Sequence, residues 1–152
     1  MKKALIAAAL ATTILSGCAS IPMESTEQSN MAKKFAPPSN EYAGLYIYRS
    51  GILGSALKKD VWVDDKCIGE TAPNVFFYEE VAGNKEHKIS TESEFSPNDV
   101  LLQTESGKNY FIRQYIKLGV LVGGAGLEVI DEESGKKEVQ KLKMAKKGTC
   151  SQ

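Results

Sequence analysis

The sequence predicts a mainly β, antiparallel β-sandwich-like single domain with a short C-terminal helix. Three observations point there. From Gly44 onward, short segments rich in Val, Ile, Tyr and Phe recur with turn residues between them. Only one stretch, close to the end, reads as helical. The 152 residues, 42% of them hydrophobic, suffice for one modest core. Many short strands at such spacing favour a sandwich or barrel over a βαβ layout.

Taken in order, residues 1–17 open with Lys2-Lys3, continue as an apolar run over 4–15 and end on Ser16-Gly17. These are the parts of a secretory signal peptide, and the run is too short for a bilayer span of about 20 residues. Leu15-Ser16-Gly17-Cys18 resembles the lipobox of bacterial lipoproteins. The resemblance implies cleavage before Cys18, a diacylglycerol thioether on its sulfur and an acylated amino group. Two or more acyl chains make a stable anchor where one does not, so the implied partner of Cys18 is the membrane itself. Ala19 stands where lipoproteins retained in the inner membrane tend to carry aspartate, which implies the outer membrane, facing the periplasm. Residues 18–41 are rich in Ser, Pro and charge without sustained periodicity, which predicts a flexible tether.

Residues 42–146 are the predicted domain, and 147–152 a tail. Leu45-Tyr46-Ile47-Tyr48 reads as a strand that ends in the turn residues of Gly51-Ile52-Leu53-Gly54-Ser55. Val61-Trp62-Val63, then Asp64-Asp65-Lys66 and Cys67-Ile68-Gly69, reads as a tight hairpin, and Val75-Phe76-Phe77-Tyr78 follows the Pro73-Asn74 turn. Residues 87–91, 100–104, 109–117 and 127–130 are further strands, with turns at Gly83-Asn84-Lys85 and Ser106-Gly107-Lys108. By the two-residue period, Val61 and Val63 share one face, as do Ile112 and Ile116. In 132–145, Val139 and Leu142 fall on one helical face, and a helix is expected from Gly135 or later, because glycine weakens a helical turn by about 1 kcal/mol relative to alanine.

The run from Trp62 to Pro73 and the later Val81-Ala82-Gly83-Asn84-Lys85-Glu86-His87-Lys88-Ile89 resemble a PEGA-type β-domain, with Asp65 standing where that pattern has glycine. The stretch 44–145 resembles a family of small bacterial lipoproteins known only as a domain of unknown function, through Leu45-Tyr46-Ile47-Tyr48-Arg49, Gly107-Lys108-Asn109-Tyr110-Phe111-Ile112-Arg113 and Leu127-Glu128-Val129-Ile130. This resemblance implies a β-sandwich-like fold and no established activity.

Charge and cysteines narrow the function. Without residues 1–17, the 19 basic and 19 acidic residues become 17 and 19, a net charge of −2, so no global basic footprint for nucleic acid exists. With Cys18 lipidated, Cys67 and Cys150 remain. An oxidising compartment favours a disulfide between them; the alternative is a buried Cys67 and a free thiol at Cys150. No CxxC pair marks a thiol–disulfide oxidoreductase. His87 is the single histidine, too few for an imidazole metal site, and reads as a half-exposed framework residue at a strand entry. Asp64, Asp65, Glu70, Glu79 and Glu80 are placed as turn and strand-edge carboxylates, and Asp64-Asp65-Lys66 lacks calcium-loop spacing. No metal, cofactor or catalytic residue is expected.

Two features remain as contact candidates. The glycine-rich run 119–126, containing Val120 and Leu121, lacks the spacing of a dinucleotide or phosphate loop. It reads first as a buried crossover and second as an exposed apolar loop for a partner or a membrane surface. Arg49 and Arg113, the two arginines, lie on strands flanked by tyrosines. They would bind a carboxylate or phosphate if they lined one pocket, or else stack and pair locally. The expected function is therefore a lipid-anchored, non-catalytic interaction or assembly module of the bacterial cell envelope, with an envelope protein as partner. The alternative is a binding module for a small anionic or glycan ligand.

Overall fold

The computed structural model describes residues 18–93, 98–119 and 123–151. Its elements are α1 (Thr26–Ala32), β1 (Tyr42–Arg49), β2 (Lys59–Val63), β3 (Lys66–Thr71), β4 (Val75–Ala82), β5 (Glu86–Thr91), β6 (Asn98–Gln103), β7 (Asn109–Lys117), β8 (Gly124–Ile130), α2 (Glu132–Val139) and β9 (Lys143–Met144). Two sheets face each other, ordered β8-β7-β1-β4-β9 and β3-β2-β5-β6. The sandwich class holds, and its larger sheet is mixed, because β1 pairs with β7 and β4 with β9 in parallel. The chain leaves β4 for the β5–β6 hairpin of the opposite sheet. It therefore returns to the larger sheet at the end where β1 began. Parallel neighbours need such a long crossover.

The inner core alternates out of both sheets as the two-residue period requires: Leu45, Ile47, Val61, Val63, Phe77, Ile89 and Ile112 pack between them. β1 is buried along nearly its whole length because its other face is also covered. There Tyr46 stacks on Phe111 at 5.0 Å between ring centroids, with Phe35 edge-on to both, under Val139 and Leu142. Aromatic pairs in these geometries add to the area they bury.

Residues 23–36 are part of this outer layer, where a tether was expected. Ser25 caps α1 by accepting from the Gln28 N–H at 3.1 Å, and the Tyr46 hydroxyl donates to the Ala32 carbonyl at 2.8 Å. Met23 pairs with Ala145, and Ser29 Oγ accepts from the Met144 N–H at 3.2 Å. The segment folds because the exposed outer face of the larger sheet needs a cover that α2 alone does not supply. Nor is 147–151 a free tail. The Gly148 N–H donates to the Ile68 carbonyl, and Ser151 donates twice to the fully buried Asp60 carboxylate, from its N–H at 3.0 Å and its hydroxyl at 2.8 Å.

α2 starts three residues before Gly135. Asp131 accepts from the Ser134 N–H at 2.9 Å, and Glu132 and Glu133 occupy the first turn, where the helix dipole favours acids. The β2–β3 hairpin turns through Asp64 and Asp65 with φ of +49° and +63°. Two successive positive φ values define a type I′ turn, which aspartate tolerates, so the position where the PEGA pattern has glycine is met without it.

Candidate functional site

β1 and β7 run parallel, so both end at one pole of the sandwich, where the 50–58 connection meets residues 118–119 and Gly123. An added Cβ on Gly54 would stand 2.9 Å from Ile116 of β7, and one on Gly123 2.7 Å from Leu57, which shows how closely the 50–58 connection packs on β7 and on Gly123. Arg49 organises the first of them. Its guanidinium is 1% exposed and donates to the carbonyls of Leu57 (2.7 Å), Gly54 and Leu53 (3.3 Å). Burial pushes its pKa below the ordinary arginine value, and the planar fork satisfies several carbonyls that water no longer reaches.

Arg113 is elsewhere. Residues 45, 47 and 49 face the inner core, whereas Phe111, and therefore Arg113, faces the outer side with Tyr46. Arg113 pairs with Glu128 on β8. A cleft of about 370 Å³ touches both arginines together with Leu53, Tyr115, Ile116 and Glu128, yet the two guanidinium groups do not converge in it. Val120 and Leu121 lie outside the described residues; the second half of their glycine-rich run is the buried start of β8.

Cys18 begins the described chain at this same pole. It is exposed, and the N–H of the next residue, Ala19, donates to the Ser55 carbonyl at 2.8 Å. Among the described residues of this pole, the apolar side chains of Ile52, Leu53 and Leu118 are 82%, 59% and 86% exposed. Cys67 and Cys150 are joined by a disulfide, Cα–Cα 6.0 Å, along the edge of the smaller sheet.

Two polar sites were not legible in the sequence. Gln114 reaches across the interior from the larger sheet, donating to Thr91 Oγ1 at 2.7 Å and contacting Thr71 Oγ1, while Thr91 donates to the Asp60 carbonyl. This buried network satisfies its members and fixes how the sheets sit on each other. His87 is 2% exposed, not half-exposed: Nδ1 stands 2.6 Å from Asp64 Oδ2 and Nε2 2.7 Å from the Ala82 carbonyl. Burial pushes the Asp64 carboxyl upward, but the hydrogen bonds from His87 and from the Lys88 N–H outweigh it and hold the group below its usual range.

A folded-state pKa below the unfolded one contributes stability above the unfolded value and loses it as pH falls through the folded one. Asp64→Asn is therefore expected to lower the urea midpoint at pH 7, and the gap to the parent should close on acidification below the ordinary carboxylate range. Parallel urea titrations at pH 7, 5 and 3 check this; a gap independent of pH would contradict it.

Under α1 a second hollow of about 430 Å³ has a floor of Tyr46, Tyr78 and Met144 and a rim of Glu24, Glu27 and Glu80. Its carboxylates oppose an anionic occupant. Among the described residues no group of three or more His, Cys, Asp or Glu is arranged to hold a metal ion, and no helix there is long and apolar enough to cross a membrane.

Comparison with known proteins now places this architecture. The family model described as "Protein of unknown function (DUF2846)" matches residues 39–125, which run from the start of β1 into β8. The chain belongs to the DUF2846 family. An uncharacterized protein of Haemophilus influenzae (strain ATCC 51907 / DSM 11121 / KW20 / Rd) is 61% identical over 132 residues, 87% of this chain and 78% of that one. No solved structure matches. The matched DUF2846 region holds the smaller sheet, strands β1, β4 and β7 of the larger one, the Arg49-bound connection and the His87–Asp64 pair. The family match leaves out α1, most of β8, α2, β9 and Cys150.

Proposed function

We propose that this DUF2846 protein is a lipid-anchored, non-catalytic interaction module of the bacterial cell envelope, held by Cys18 and facing the periplasm from the outer membrane. The observation that carries the reading is the position of Cys18. The lipobox cysteine is exposed at the first step of the packed chain, within reach of acyl transfer, while the next residue is already bonded to the domain. Ala19 after the cysteine supports the outer-membrane address, and the Cys67–Cys150 bond suits an oxidising compartment. The likeness to a PEGA-type module rests on the β2–β3 hairpin and the strand containing His87.

The anionic-ligand reading has weaker support, since Arg49 is committed to backbone carbonyls and Arg113 to Glu128. The test is the mass of the N-terminal peptide of protein taken from cell envelopes, combined with capture from crosslinked envelopes. A peptide starting at Cys18 with a diacylglycerol mass, and a partner captured in fixed ratio that is lost in Cys18→Ser, is the expected result. An unmodified Cys18 overturns the anchor, and lack of any partner overturns the interaction role.

A further inference from the structure

We infer that the pole formed by the 50–58 and 117–119 segments is a membrane-contact face, on which the domain lies directly against the bilayer that holds Cys18; this rests on the lipid anchor proposed above. The geometry begins with the anchor. Ala19 is bonded to Ser55 inside the 50–58 connection, and Ile21 and Met23 pack against the inner core. No length of free chain therefore separates Cys18 from the domain. A lipid inserted through Cys18 brings Ser55 and its neighbours to the lipid headgroups.

What those neighbours present is apolar. Ile52, Leu53 and Leu118 are the large hydrophobic side chains that this pole exposes, and half-exposed Tyr115 stands beside them with Lys117 over its ring at 5.8 Å. Tyrosine suits the boundary between acyl chains and water, with its ring at headgroup level. The lysines of this pole are already partnered: Lys58 pairs with Glu70, Lys59 with Glu92, and Lys117 donates to Asn98 Oδ1 at 3.1 Å. The contact is therefore carried by the apolar side chains and the anchor, not by a surplus of positive charge.

Arg49 completes the device. By holding the carbonyls of Leu53, Gly54 and Leu57, it fixes a connection that would otherwise fold its apolar side chains inward. Ile52 and Leu53 are thereby kept outward at a cost that a bilayer offsets. The face opposite, where Gly83 and Gly107 bond the start of β1, carries the 83–85 and 106–108 turns and lies one strand length away, about 25 Å for eight residues.

The experiment uses full-length protein, processed and purified from membranes, reconstituted in vesicles of phosphatidylethanolamine and phosphatidylglycerol. An environment-sensitive fluorophore is placed at Ile52→Cys, Leu118→Cys or, on the far turn, Lys85→Cys. The expected result is a blue-shifted emission, quenched by nitroxide-labelled lipid, at 52 and 118 and water-like emission at 85. Water-like emission at 52 and 118, in protein whose Cys18 lipid is verified by mass, overturns the contact face and leaves the anchor standing. A blue shift that grows with protein-to-lipid ratio and escapes the lipid quencher marks a second copy and also overturns it. If mass shows no lipid on Cys18, the anchor falls. Co-sedimentation of the same protein, with lipid-quenched labels at 52 and 118, would then still support the face, and its absence would overturn it.

Discussion

Cys150→Ser is expected to lower the stability of the domain by about 3–5 kcal/mol, the larger of the two strongest effects the structure implies. The bond spans 83 residues, and the chain-entropy account gives a loop of that size roughly 4–5 kcal/mol, with measured losses commonly about 2–5. A second contribution adds to it here. The segment released with Cys150 contains Ser151, which supplies the N–H and hydroxyl donors of a carboxylate with no solvent contact, that of Asp60. Leaving a buried charge without partners is among the costlier defects a fold can carry. The check is urea unfolding of the parent, Cys150→Ser and Cys67→Ser, each with and without reductant. The parent should fall to the level of the variants when reduced, and the variants should not respond. A parent indifferent to reductant would contradict the expectation.

Gly135→Ala is expected to destabilise by about 2–4 kcal/mol, against the sign that helix propensity gives. In an exposed helix the same change would stabilise by about 1 kcal/mol. Here Gly135 lies flat on β7: an added Cβ would stand 2.7 Å from Phe111 Cδ1 and closer still to its Cβ and Cγ. Phe111 cannot retreat, since it is fully buried and stacked against Tyr46. α2 must lift, taking Val139 and Leu142 off the aromatic layer, and overpacking of such cores typically costs about 1–3 kcal/mol before that loss is counted. Thermal melts of Gly135→Ala and of Ser134→Ala, its exposed neighbour on the same helix, separate packing from propensity. A higher melting temperature for Gly135→Ala would refute the close contact.

The strands were legible because their signals are local. Alternation in Val61-Trp62-Val63, the β-branched and aromatic run 45–48, and the glycine or asparagine at 74, 83, 84 and 107 each act over a few residues. What escaped depends on residues far apart in the chain. α1 has seven residues, too few to stand alone in water, and is held by Met144 and Tyr46. Its one local sign, Ser25 followed three residues later by Gln28, has the spacing of a capping box. For α2, Asp131 was an equally local start signal. The site was harder still. Arg49 and Arg113 are adjacent in the sheet but point to opposite faces, because the parallel register sets Tyr48, not Arg49, beside Arg113. Burial of His87 follows from its partner Asp64, 23 residues away across a turn whose positive φ values aim that carboxylate back.

The pairing of Met23 with Ala145 and of Asp60 with Ser151 also sets an order of events during synthesis. Both seams join early parts of the chain to parts made after residue 140, so neither can close while the chain is still being delivered residue by residue. Apart from the two-residue edge strand β9, the two sheets can assemble first, from residues 42–130, with one face of β1 bare. Until the last residues arrive, that bare aromatic surface is the part of the protein most open to chaperones and to proteases. A nascent chain halted at residue 130, before α2 is made, would display Tyr46, Phe76 and Phe111 as a continuous handle for quality control.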